Sequence, residues 1–280
     1  MTPPTKPLFS ATNLTVSVPG RTLVRELDFE LEAGEIIAIL GQNGAGKSLT
    51  LHTLGGLREA DAGRIQLEGK PIGAYSRKAV AQRLALLPQN SEDIFPATVF
   101  ETVLIGRHPH IEALRWESTQ DRRFAEDCLQ KMDLAELADR EIATLSGGER
   151  RRLAIAQTLA QDPRIFLLDE PTNHLDPQHQ LDVLELFVER ARCGAGIIAC
   201  LHDVNLAARF ADRCLLLYGD GRWHLGKSRD VLSEERLSEL YQVKMEAIDW
   251  RGITLFIAAG GSASECRSSM YALESAQASL

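Results

Sequence analysis

The sequence predicts an α/β protein: a parallel-sheet core, an antiparallel β lobe ahead of it and an α-helical subdomain inserted into it. Three observations carry this prediction. Short apolar runs, IIAIL at 36–40 and IFLL at 165–168, are bounded by charges and turn residues, as strands buried on both faces of a parallel sheet are. Residues 9–18 and 23–31 instead alternate apolar and polar side chains, the pattern of half-buried antiparallel strands. From about 90 to 160 the apolar residues recur at helical spacing: Val99, Val103 and Leu104, then Phe124, Cys128, Leu129 and Met132, then Leu153, Ala156 and Leu159.

In chain order, the strand at 36–40 runs into a glycine-rich turn and a helix over 47–56. A strand at 64–68 follows the Ala-Asp-Ala-Gly turn at 60–63. After the helical segment the core resumes with strand 165–168, helix 178–192, strand 196–201, helix 204–211 and strand 214–218. Residues 234–258 read as a short helix and two strands. One domain is therefore expected over 7–259, with the helical subdomain at about 90–160 and a small C-terminal addition at about 230–259. From Gly260 the composition turns to Ser, Ala, Gly and Glu, which predicts a disordered tail over 260–280.

The 280 residues, 44% hydrophobic and 25% charged, suffice for a core without disulfides or metals. No stretch approaches the ~18 apolar residues of a membrane-spanning helix, and MTPPTKPLFS lacks the apolar segment of a secretory signal. Any membrane part must come from other chains. The five cysteines, Cys128, Cys193, Cys200, Cys214 and Cys266, form no C-x-x-C pair and are expected to be buried free thiols. A net charge of −8 argues against nucleic acid as the main partner.

Residues 41–48, GQNGAGKS, match G-x-x-x-x-G-K-[ST] between a strand and a helix. Glycines at 41, 44 and 46 let the backbone curl with its N–H groups inward, a nest for phosphate oxygens, and the helix adds its positive end. Lys47 reaches the β and γ phosphates and Ser48 ligates Mg²⁺. Gln42, Asn43, Ala45 and Leu49 complete the loop; Leu49 stands where many such loops carry a second hydroxyl.

IFLLDE at 165–170 places Asp169 at a strand end to hold Mg²⁺, and Glu170 one residue on to accept a proton from the attacking water. His202, in ACLHDVN, and Gln89, in LLPQN, end two further strands. Parallel strand ends gather on one rim, so His202 is a candidate γ-phosphate contact and Gln89 a candidate ligand of Mg²⁺ or water.

LSGGE at 145–149 opens an arginine-rich helix and forms a second anion nest, which a chain holding one nucleotide has no use for but two facing copies do. GQNGAGKS, Gln89, LSGGE, LLDEPTNHLD and His202 follow in the order and spacing of the ATP-binding cassette (ABC) ATPases, which the chain resembles over roughly 9–258. Ser146 lies 23 residues ahead of Asp169 and His202 lies 32 beyond Glu170.

That resemblance implies a P-loop NTPase, RecA-like core that hydrolyses ATP with Mg²⁺. It also implies that Ser146, Gly147 and Gly148 contact the ATP of a second copy in a head-to-tail ATP-sandwich dimer. Asp176 then links the two sites, Glu170 is the catalytic base and His202 the switch histidine. Family members often stack adenine on an aromatic residue near position 18; this chain has Val18. Arg150, Arg151 and Arg152 are expected at a solvated helix start near bound phosphate.

The segments LLPQ…TVFETVLIGRHPH, EPTNHLD and YQVKMEAIDW…ITLFI resemble the ATPases of importers for iron–siderophore, haem or cobalamin. Two integral membrane permease subunits and, indirectly, a periplasmic or surface binding protein would be the partners. The chain would then sit peripherally on the cytoplasmic face of the inner membrane. Ile94, Phe95 and Pro96 are expected to form either a pocket for a partner's helix or internal packing. The alternatives are a soluble ABC ATPase of translation or DNA repair, and an exporter subunit.

Overall fold

The computed structural model describes residues 6–89, 96–112 and 115–259. The antiparallel lobe begins with β1 (Phe9–Val18) and β2 (Arg21–Leu31), joined by the Pro19–Gly20 turn so that Val18 pairs with Arg21. Then come β3 (Ile36–Leu40), α1 (Lys47–Leu54), β4 (Ala62–Leu67), the short β5 (Lys70–Pro71), α2 (Arg77–Ala81) and β6 (Leu84–Leu87). The helical lobe contributes α3 (Val99–Ile105), α4 (Thr119–Lys131) and α5 (Gly147–Ala160). The core returns with β7 (Ile165–Asp169), α6 (Pro177–Arg192), β8 (Gly196–Cys200), α7 (Val204–Phe210), β9 (Arg213–Leu217), β10 (Trp223–Lys227) and α8 (Ser228–Val231).

Two sheets result. One is antiparallel, in the order β2-β1-β4-β5; the other runs β10-β9-β3-β8-β7-β6 and is parallel except for β10. β7 and β8 are buried along their whole length, as their unbroken apolar sequence requires. Strand β10 was not anticipated: it is an edge strand, too short and too polar for its alternation of Trp223 and Leu225 to stand out. β8 and β7 lie between β3 and β6, and the carboxyl ends of these four parallel strands share one rim. A crevice opens there.

The helical lobe packs through Val99, Val103, Leu104, Ala125, Cys128, Leu129, Leu153, Ala156 and Leu159, all buried. Each of its helices starts with a capping box: Thr98 with Glu101, Ser118 with Asp121, Ser146 with Glu149. Arg107 ties the lobe together, donating to Asp121 at 3.0 Å and to the Ala160 carbonyl at 2.8 Å while stacking on Phe124.

Residues from Leu232 onward form a second unit, with α9 (Glu234–Tyr241), β11 (Met245–Trp250) and β12 (Ile253–Ala258). Leu232, Leu237, Leu240, Met245 and Phe256 are its buried residues among those described, at 0–7% exposure, whereas Ile248, Trp250, Ile253 and Ile257 are exposed.

Cys128, Cys200 and Cys214 are buried free thiols, but Cys193 is exposed, correcting the expectation for that residue. It follows α6, where the helix has run out past its buried Ala191. Cys266, the 260–280 segment, Ile94 and Phe95 lie outside the described residues; Pro96 is exposed. Among the described residues, no helix is long and apolar enough to cross a membrane.

Candidate nucleotide site

Four strands of the parallel sheet deliver their C-terminal ends to the crevice. From β3 comes the loop 41–48, from β6 Gln89, from β7 Asp169 and Glu170, and from β8 His202. The sequence fixes the loop's curl. A side chain at Gly41 would place its Cβ 2.5 Å from the Leu217 carbonyl, and Gly46, at φ +97°, adopts a left-handed backbone directly before α1. No side chain caps α1, so its first amides face the crevice without an internal acceptor.

Asn43, Gly44, Gly46, Lys47, Ser48, Leu49, Gln89 and Glu170 line one cavity of about 370 Å³, together with Val18, Arg21 and Leu23. Gly41, Gln42 and Ala45 belong to the loop without lining the cavity. Lys47 is buried, and its Nζ donates to the carbonyls of Gly41 at 2.8 Å and Gln42 at 3.3 Å. The ammonium thus arches back along the inside of the loop.

Glu170 is buried at the cavity's other end, in a left-handed backbone at φ +51°. Gln89 donates to its Oε2 at 2.7 Å, Asn173 donates to the same oxygen, and His202 Nε2 meets its Oε1. Three of the residues expected to meet, Gln89, Glu170 and His202, therefore do so directly. Asn173 was missed. Its signal was local: it follows Glu170 by three residues, across the turn in which its own amide bonds the Glu170 carbonyl at 3.1 Å.

Asp169 is wholly buried, and neither carboxylate oxygen has a hydrogen-bond partner. A buried carboxylate in that condition calls for a cation. With the Ser48 hydroxyl at the cavity wall and the Gln89 amide beside Glu170, the donor set is all oxygen, which suits Mg²⁺. Behind Asp169, burial first and then the charge of Asp169 raise the Cys200 thiol well above its usual 9.0. Cys200 therefore stays neutral.

The arginine run is the clearest correction. Arg151 is buried, not solvated, and its guanidinium donates to five carbonyls. These are Pro88 at 2.6 Å and Gln89 at 3.1 Å, Asp169 at 2.6 Å, Glu170 at 2.7 Å and Pro171 at 3.3 Å. Burial pulls its pKa down to about 10, against the opposing charges of Asp169 and Glu170. On the same helix Arg150 donates to the carbonyls of Ala143 and Leu145, and Arg152 meets His179.

Ser146, Gly147, Gly148 and Asp176 do not line the cavity. Ser146 caps α5: its hydroxyl accepts from the Glu149 amide at 3.3 Å, while Glu149 accepts from the Ser146 amide at 2.7 Å. Ser146 and Gly147 are exposed. Asp176 caps α6 by accepting from the His179 amide at 3.1 Å and pairs with the His179 ring at 2.7 Å. The His179 amide and then its side chain hold the Asp176 carboxyl below 3.8.

Known proteins share this arrangement. Residues 24–173 match the family model of the ABC transporter. A hemin import ATP-binding protein of Deinococcus radiodurans is 44% identical over 216 residues, covering 75% of this chain and 81% of that protein. A petrobactin import ATP-binding protein of Bacillus anthracis is 36% identical, covering 83% of this chain and 86% of that protein. Among solved structures, a transporter described as of metal-chelate type, in an inward-facing conformation, superposes with a TM-score of 0.78 at 30% identity. It covers 91% of this chain and 98% of its own.

Proposed function

This chain belongs to the ABC transporter family, and on that footing we propose that it couples ATP hydrolysis to uptake of an iron chelate, haem or a ferric siderophore. It is the ATP-hydrolysing subunit of an importer, and ATPases of this family act as dimers alongside membrane permease subunits. The relatives described above are all transporter components, so a soluble ATPase of translation or DNA repair is not favoured.

The observation that carries the mechanism is the Glu170 carboxylate, buried at the mouth of the loop cavity and gripped by Gln89, Asn173 and His202. The α1 amides and Lys47 would bind the β and γ phosphates, with Lys47 exchanging its bonds to Gly41 and Gln42 for phosphate oxygens. Ser48, Asp169 and Gln89 would hold Mg²⁺, which when bound neutralises phosphate charge. Glu170 Oε would accept the proton of the attacking water, and His202 would orient that carboxylate and follow the γ-phosphate.

The exposed Ser146 and Gly147, with the half-buried Gly148, would complete the site of a second copy, with Asp176 between the two sites. The two membrane permeases and a periplasmic or surface binding protein are the further proposed partners. The chain would lie peripherally on the cytoplasmic face of the membrane. As domains, we propose a nucleotide-binding body whose helical part spans about 90–160 and a small C-terminal addition.

The test is Glu170→Gln. It is expected to retain ATP binding, lose turnover by about 10²–10⁴-fold and form an ATP-dependent dimer in light scattering. A monomer saturated with ATP, or one that still hydrolyses at the wild-type rate, would overturn the scheme. For cargo, deletion of this chain should abolish growth on haem or on a ferric siderophore as sole iron source while sparing growth on ferrous salts.

A further inference from the structure

The loop and strand ends account for the triphosphate; one further wall of the cavity has no role in that scheme. That wall is Val18, Arg21 and Leu23, all from the β1–β2 hairpin. A nucleotide whose phosphates lie on 44–48 must rest its base on a surface beyond them, and no aromatic ring is among the lining residues.

Val18 and Leu23 are aliphatic and partly or wholly buried against the core. Arg21 is the exposed member of the wall and the one with a planar π-system. Its side chain is anchored at one point. Its Nε donates to the Gly219 carbonyl at 2.7 Å, tying the hairpin to the turn after β9. A Cβ on Gly219 would fall 2.7 Å from Arg21 Nη2 and 2.9 Å from the Ala45 Cα. Guanidinium and phosphate loop therefore both lie close against Gly219. Among the described residues Arg21 neither pairs with a carboxylate nor stacks on a ring, and it is exposed at the cavity.

We propose that the Arg21 guanidinium is the platform on which the nucleotide base stacks, and so a residue that distinguishes a nucleoside triphosphate from the bare triphosphate. The inference rests on the nucleotide reading of the site. A guanidinium is planar, delocalised and weakly hydrated, and it stacks on the π-face of a base as readily as on a protein ring. Val18, its cross-strand partner, adds apolar contact beside it. Every base has a π-face, and this platform carries no group that reads a purine's edge, so ATP and GTP should bind alike. The same positive charge could instead serve the phosphates, which makes the triphosphate without its base the deciding ligand.

The experiment is titration calorimetry of the full chain with ATP, GTP and inorganic tripolyphosphate. It compares the wild type, Arg21→Ala, Arg21→Lys, and Arg21→Ala combined with Val18→Tyr. Arg21→Ala and Arg21→Lys are expected to weaken ATP and GTP about five- to tenfold and to leave tripolyphosphate unchanged. Lysine keeps the charge but lacks the plane, and it keeps the test alive should the alanine variant misfold. Val18→Tyr is expected to restore ATP affinity by supplying a ring on the neighbouring residue.

Unchanged ATP affinity in both single variants would overturn the assignment. Equal losses for ATP and tripolyphosphate would overturn it too, by making Arg21 a phosphate contact. Strong preference of the wild type for ATP over GTP would contradict recognition by the face alone. A wild type that bound neither nucleotide nor tripolyphosphate would bring down the nucleotide reading itself, a failure distinct from the others.

Discussion

Two helices of this chain begin on glycines, and they begin differently. α1 starts at Gly46 in a left-handed backbone with no side-chain cap, its Lys47 buried against the loop it follows. α5 starts at Ser146 with a full capping box and lies exposed over its first residues. A helix end whose amides lack acceptors is tolerable where a cavity can deliver an anion. One that satisfies itself can sit on the surface of an isolated chain without penalty, offering only its remaining amides to whatever docks there. The first end is thus a seat within the chain, the second a surface for a visitor.

The harshest way to break this contrast is at the seat. Lys47→Ala should lower ATP turnover about 10²–10³-fold, with ATP affinity falling in the same direction; a steady-state phosphate-release assay and calorimetry read both. If instead Lys47→Ala left turnover intact, the two helix ends would be equivalent.

Next in size is Arg151→Met, which fills the space but leaves five carbonyls without their donor. Thermal unfolding should show a loss of about 3 kcal/mol, concentrated where α5 meets the strand ends.

Ser146→Ala separates the roles further. It should cost about 1 kcal/mol of stability as a lost cap and leave ATP affinity of the single chain unchanged. Dimer turnover should fall by about tenfold or more if the hydroxyl meets phosphate.

The smallest effect is one of pH. The Ser146 side chain first, and then its backbone, hold the Glu149 carboxyl below its ordinary 4.5. Because the folded value is depressed, the stabilisation is fully present above pH 4.5 and is lost as pH falls through the folded value. Wild type and Glu149→Gln should therefore differ in unfolding midpoint at neutral pH and converge only below the folded value, itself under 4.5.

The loop and the carboxylates were legible because each is written in contiguous residues whose strand and helix frame is equally local: IIAIL before GQNGAGKS, IFLL before Asp169 and Glu170. Gln89 and His202 were legible once parallel strands were inferred, since their ends must share a rim. The Arg-Arg-Arg run was not, because three identical letters on successive helix positions point about 100° apart. One reaches the carbonyls before the helix, one enters the core, one meets His179. The partners of Arg151 lie 18 to 63 residues away in the chain, and only tertiary structure brings them together. β10 escaped for a related reason, since an edge strand gains its place from β9 rather than from its own composition.

The Arg151 guanidinium has a mechanical corollary. It is rooted in the helix that Ser146 opens, yet it clasps the main chain on both sides of the reaction centre, at Gln89 and at Glu170. Amide and carboxylate are thereby yoked to one another and to the lobe. Any swing of that lobe would load both segments at once, against the bond from the Glu170 amide to the Cys200 carbonyl that ties one of them to the sheet. The guanidinium thus works as a tie rod, passing a load on the helix to the two strand ends it holds.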